Sequence, residues 1–222
     1  MVNCFISSFG VTYYSNGMTR RILISCGIFS SLLYMCMNIF VPMLFEGYSS
    51  ASQTVSELSA IDAPTRSLWV TLAMVYVFLF GAFGLGILKS AAGNRYLKIQ
   101  GILVLVYVAI NFYWPPMHLR GNKPTLTDTL HIIWAMITLL LMMLIMALGA
   151  ISSGKLFRIY TIITFVVFIV FGILIGVEAP GIAKNLPTPR IGIWERVNIG
   201  AFMLWVIVFA IVLLKRKKDT RS

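Results

Sequence analysis

The chain has 222 residues, 59% of them apolar and 11% charged, where a soluble domain carries about 25% charged residues. Water cannot solvate that much apolar surface, so the bilayer is the expected solvent, and the length leaves no room for a sizeable soluble domain. The net charge of +11 does not indicate nucleic acid, because the basic residues sit beside apolar runs, as the positive-inside rule expects.

The first run follows Arg20-Arg21 and is charge-free for 24 residues, Ile22 to Phe45. A signal-peptide core is only about 7–15 residues, so a membrane span is expected instead. The cysteines, Cys4, Cys26 and Cys36, fall in the N-terminal segment and this run. They form no CxxC pair and read as free thiols. Five more charge-free runs follow: Ser67–Leu88, Ile99–Met117, Ile132–Gly154, Ile159–Val177 and Val197–Leu214. Each is near the roughly 20 residues needed to cross the hydrocarbon core. Only helices satisfy the backbone there. The expected fold is therefore an all-α, polytopic membrane protein: a single six-helix transmembrane bundle with helices at about 22–45, 67–88, 99–117, 128–154, 159–178 and 194–214. Pro115-Pro116 is expected to close the third helix. Gly172 and Gly176 form a GxxxG pair suited to close helix packing.

Orientation follows from the loops. With the N-terminus cytoplasmic, the inner side holds Arg20, Arg21, Lys89, Arg95, Lys98, Lys155, Arg158, Lys215, Arg216, Lys217, Lys218 and Arg221. The outer side holds Arg66, Arg120, Lys123, Lys184, Arg190 and Arg196, a 12 to 6 division of the basic residues. Both termini are thus expected in the cytoplasm of a multi-pass cell-membrane protein, with Lys215-Arg216-Lys217-Lys218 anchored on anionic headgroups. The acids divide more sharply: Glu46, Glu57, Asp62, Asp128, Glu178 and Glu195 lie outside and only Asp219 inside. Both histidines also lie outside, so a localised function is expected on that face.

Three outer segments carry the candidates. In Tyr48–Trp69, Ser52 or Thr54 suits the cap of a short helix with Val55, Leu58 and Ile61 on one face, and Glu57 and Asp62 near the helix mouths. In the second segment, Thr127 could cap the fourth helix, with Asp128 and His131 on one face one turn apart. There His118, Asp128 and His131 include ligand types that a divalent ion accepts, but without the usual metal spacing. In the third, Glu195, Arg196 and Asn198 enter the sixth helix, where a polar set is costly unless partnered. An interface anchor, with Trp194 in the aromatic belt and Arg196 snorkelling, is equally compatible. Glu178-Ala-Pro-Gly reads as a turn ending the fifth helix. The expected ligand-binding set is Glu57, Arg66, His118, Arg120, Asp128, His131, Glu195, Arg196 and Asn198, with the acids paired to Arg66, Arg120 and Arg196. No nucleotide, P-loop or zincin motif is present, and no cofactor is expected. Ser56 beside Glu57 has no base at a recognisable spacing, which leaves nucleophilic catalysis unsupported.

The segments SELSAIDAPTRSLW (56–69), MHLRG (117–121), TDTLHIIWAM (127–136) and WERVNIGAFMLWVIVFAI (194–211) resemble the bacterial membrane proteins grouped as domain of unknown function 998. The resemblance spans nearly the whole chain from the first helix onward. It implies a six-helix integral membrane protein and supplies no catalytic roles. Function then reads as a membrane protein with a polar, ion-paired outer pocket for a lipid or small ligand. The alternatives are a membrane-embedded lipid hydrolase using metal or acid–base groups around His118, Asp128 and His131, and a small transporter. Against the transporter, no charge falls mid-helix. The bilayer is the one partner the sequence implies directly; it identifies no protein partner.

Overall fold

The structure is a computed structural model that describes residues 2–121 and 123–216, with the backbone alone for 2–16. The Cys4 side chain and Lys217, Lys218, Asp219 and Arg221 of the tail therefore lie outside the described set.

The described chain is helical: α1 (Val2–Phe40), a 3-10 turn (Val41–Leu44), a second 3-10 turn (Val55–Ser59), α2 (Arg66–Lys89), α3 (Arg95–Asn111), α4 (Leu126–Ser152), α5 (Lys155–Ala183) and α6 (Ile191–Lys215). Among the described residues, five helical stretches are long and apolar enough to cross a membrane: Gly17–Leu44, Arg66–Lys89, Leu126–Ser152, Lys155–Ala183 and Ile191–Lys215. The third expected run behaves differently. Its helix α3 has 17 residues and stops at Asn111, not at Met117. The two prolines beyond it disfavour helix in the residues preceding them, so Phe112–Met117 leaves the helix and its carbonyls are free to bind other segments.

Consecutive helices pack as neighbours, and α6 returns to α1, closing a ring. Aromatic rings fill its middle. Trp205 stacks on Phe209 with centroids 5.0 Å apart, and its indole N–H donates to Thr161 Oγ1 at 2.9 Å. Gln100 donates to the Ile145 carbonyl at 3.0 Å. A Cβ at Gly149 would stand 2.6 Å from the Trp205 ring, and one at Gly86 2.8 Å from the Ile24 amide nitrogen, so close helix approach is made at such positions. The GxxxG pair does not serve it: a Cβ at Gly176 would meet nothing, and one at Gly172 only Asn198 at 3.9 Å. Helices α4 and α5 expose Ile132, Met136, Leu140, Ile162, Val166 and Ile173, a surface suited to lipid rather than water.

Helix α5 also runs through Pro180 to Ala183, where a turn after Glu178 was expected. Pro180 has no amide to donate to the Gly176 carbonyl, so the helix passes this point with one backbone bond fewer. At the opposite end of the bundle, arginines close helix termini. Arg20 donates to the Leu213 carbonyl at 3.3 Å and to Ser90 Oγ at 3.4 Å. Arg216 donates to the Ser152 carbonyl at 2.6 Å and Ser153 Oγ at 3.0 Å.

Candidate functional site

The first outer segment is built on a local signal. Thr54 precedes the second 3-10 turn, and Glu57, three residues on, accepts from the Thr54 amide at 3.0 Å, the reciprocal half of a capping box. Val55 and Leu58 are buried with Met37, Val41, Trp69 and Ala73. Packing that face down turns Glu57 fully inward, to 0% exposure.

A carboxylate there needs a cation and donors. Arg120 supplies the cation, 2.8 Å away, with Nε donating to both oxygens at 2.9 and 3.0 Å. Gln53 donates a further bond at 2.8 Å. Arg120 also donates to Thr188 Oγ1 and the Ser52 carbonyl, both at 2.6 Å, and Thr188 donates to that same carbonyl at 3.0 Å. One guanidinium thus joins all three outer segments. The second segment is held in place by the Ile61 amide, which donates to the Met117 carbonyl at 2.7 Å.

The start of α6 locks the same loop from the other side. Glu195 accepts from the Val55 amide at 2.6 Å. Arg196 donates to the carbonyls of Ser50 at 2.9 Å, Gln53 at 3.1 Å and Gly192 at 3.1 Å, and to the Tyr48 hydroxyl at 2.7 Å. Burial pushes the Tyr48 phenol up to about 12, so it stays protonated and donates to the Thr54 carbonyl at 2.8 Å.

The expected pairing of three arginines with acids holds at Arg120. Arg196 clamps backbone carbonyls, and Arg66 donates to the Ser59 carbonyl; a planar five-donor fork serves carbonyls as well as carboxylates. Asn198 lies apart from the outer loops, donating weakly to the Phe168 carbonyl at 3.5 Å.

The histidines separate. His118 Nδ1 is 3.1 Å from Asp128, and its amide donates to the same carboxylate at 2.7 Å. Asp128 also accepts from the Thr125 amide and hydroxyl, each at 2.7 Å. The cap of α4 is therefore Thr125, not Thr127. His131, expected on one face with Asp128, points elsewhere: its Nδ1 is 2.7 Å from the Pro115 carbonyl and its Nε2 is 3.0 Å from Ser56 Oγ. Among the described residues, no three His, Cys, Asp or Glu side chains gather as a metal centre requires. The trio His118, Asp128 and His131 fails because His131 has turned to other partners.

Glu57, Arg66, Arg120, His131, Glu195 and Arg196 thus all bind within Tyr48–Ser59, while His118 and Asp128 form a separate pair. Tyr48, Gln53, Ser56 and Thr188 are the members that sequence reasoning did not assign to the site. Between the second and third segments lies an open depression of about 570 Å³ lined by Arg120, Gly121, Asn185, Leu186 and Pro187.

The family described as "Protein of unknown function (DUF998)" matches residues 28–212. The chain belongs to this family. The chain's own long apolar helices agree with an integral membrane protein. Neither a curated protein nor a solved structure matches the chain.

Proposed function

We propose that this DUF998 protein crosses the cell membrane six times, with both termini cytoplasmic, and binds an anionic headgroup or small anion at its outer face. Helix α3 is the sixth crossing. It packs between α2 and α4, and about 1.5 Å per residue over 17 residues brings it close to the hydrocarbon thickness. Cysteine labelling tests the orientation. Ser50→Cys and Asn185→Cys, in a background without native cysteines, react with an impermeant thiol reagent on intact cells, whereas Gly93→Cys and Gly154→Cys stay unlabelled. Labelling of Gly93→Cys from outside would reverse the topology.

The observation that carries the binding reading is the position of Arg120. Its side chain is 24% exposed and lines the depression, while Glu57 behind it is fully buried. Glu57, Thr188 and Ser52 together fix the guanidinium beside the depression. Lys184 precedes the lining residue Asn185 in the chain and Lys123 follows Gly121 by two residues, which adds basic charge to both lining segments. In nanodiscs, the purified protein is expected to retain phosphatidylglycerol over phosphatidylcholine, measured by native mass spectrometry. Lys184→Gln weakens that preference severalfold without lowering thermal stability, since surface substitutions away from buried features stay within about 0.5 kcal/mol. Equal retention of both lipids would sink the reading.

A further inference from the structure

Ser56 and His131 are 75 positions apart, and neither the capping network nor the anion reading uses their contact. A carbonyl oxygen only accepts, so the 2.7 Å contact with Pro115 places the proton of the neutral imidazole on Nδ1. Nε2 then carries the lone pair, and it faces the Ser56 hydroxyl 3.0 Å away. This is the hydrogen-bond order of an activated serine: hydroxyl to imidazole, imidazole to a fixed acceptor.

The acceptor is well held. Pro116 restricts Pro115 to extended backbone, and the carbonyl between them is that of a tertiary amide, with no N–H of its own segment to satisfy. His131 is 6% exposed and packs against Trp134 with ring centroids 5.3 Å apart; Trp134 is itself fixed by donating to the Ile110 carbonyl at 3.2 Å. Ser56 sits between two anchored neighbours, Val55 on Glu195 and Glu57 on Arg120. Those neighbours are buried while Ser56 remains partly exposed, so the residue is held in place at the edge of the buried network.

We propose that Ser56 and His131 form a nucleophile–base pair for acyl transfer from carboxylic esters with an apolar acyl chain, with Pro115 as the positioning residue. Ser56 Oγ bonds to the ester carbonyl carbon as its proton moves to His131 Nε2. The tetrahedral adduct collapses, the alkoxide leaves with that proton, and the acyl group stays on Ser56. Water then attacks this ester, passing one proton to Nε2, and the carboxylic acid departs as Ser56 regains its proton. The apolar chain is inferred from Tyr113, Leu130 and Ile133, which lie within two residues of Pro115 or His131 in sequence and are 75%, 41% and 50% exposed.

A fluorophosphonate probe on the full-length protein in detergent tests this. The expected result is a mass adduct on Ser56. Ser56→Ala abolishes it, and His131→Asn slows it about a hundredfold or more, the usual worth of a general base. Both variants must show a cooperative thermal transition, so that loss of fold is not mistaken for loss of chemistry. Gly200→Ala, on α6 with open space at its Cβ, leaves labelling unchanged. The wild type also cleaves p-nitrophenyl octanoate faster than the acetate. A folded wild type without adduct, an adduct on another serine, or labelling indifferent to His131→Asn would each overturn the proposal and leave the contact as a structural hydrogen bond only.

Discussion

Glu57→Ala is expected to destabilise the protein by about 3–5 kcal/mol, the usual cost of stripping one partner from a buried ion pair. The substitution leaves the Arg120 guanidinium facing a cavity and removes the acceptor of the Thr54 amide and of Gln53. Arg120→Ala should cost a similar amount, because a carboxylate with 0% exposure then has no cation. The double variant should lose clearly less than the two single losses together, since neither charge is stranded. Denaturant titration of the purified protein in mild detergent, followed by tryptophan fluorescence, measures all three. Additive losses would mean that the pair is not coupled and that the loops are held by backbone contacts alone.

Gly192→Val tests the second lock. The Gly192 and Ile193 amides donate to the Ala51 carbonyl at 2.9 and 3.3 Å. A Cβ at Gly192 would run into the carbonyl oxygens of Gln53 and Ser50, which are backbone and cannot swing aside as a side chain does. Overpacking costs about 1–3 kcal/mol, and each lost hydrogen bond about 0.5–1.5 kcal/mol more. The first outer segment should then detach from α6 and become sensitive to external protease in proteoliposomes. Gly200→Ala is the control. It lies on the same helix with open space at its Cβ, and it should be neutral or stabilising by up to about 1 kcal/mol. Protection of the segment in Gly192→Val would show that the loop is held without α6.

These interactions differ in how far the sequence exposes them. Apolar runs are legible because the bilayer demands them of each segment separately. The Thr54–Glu57 cap is legible for a similar reason, both partners lying within four residues. The end of α3 was misplaced because Phe112, Tyr113 and Trp114 are as hydropathic outside a helix as within one. The pairing of Glu57 with Arg120, 63 positions away, shows in the sequence only as two charges on one side of the membrane. Which acid meets which arginine depends on how the 3-10 turn is rotated by the burial of Leu58. His131 was assigned to Asp128 from helical spacing, but a cap one residue pair earlier, at Thr125, turned Asp128 away and left the imidazole to Ser56.

Arg20 and Arg216, at the bundle end away from the Glu57–Arg120 pair, carry two kinds of information at once. As charges, Arg20 and Arg216 count toward the decision made during insertion, before any tertiary structure exists. As forks, they later reach carbonyls at the C-terminal ends of α6 and α4, where the helix dipole is negative. Lysine would preserve the first role but not the second, because a point charge on a flexible stem does not span Ser90 and Leu213 together. Biogenesis and mature stability therefore place different demands on the same two positions, and the choice of arginine there is a property of the finished bundle, invisible to the machinery that inserted it.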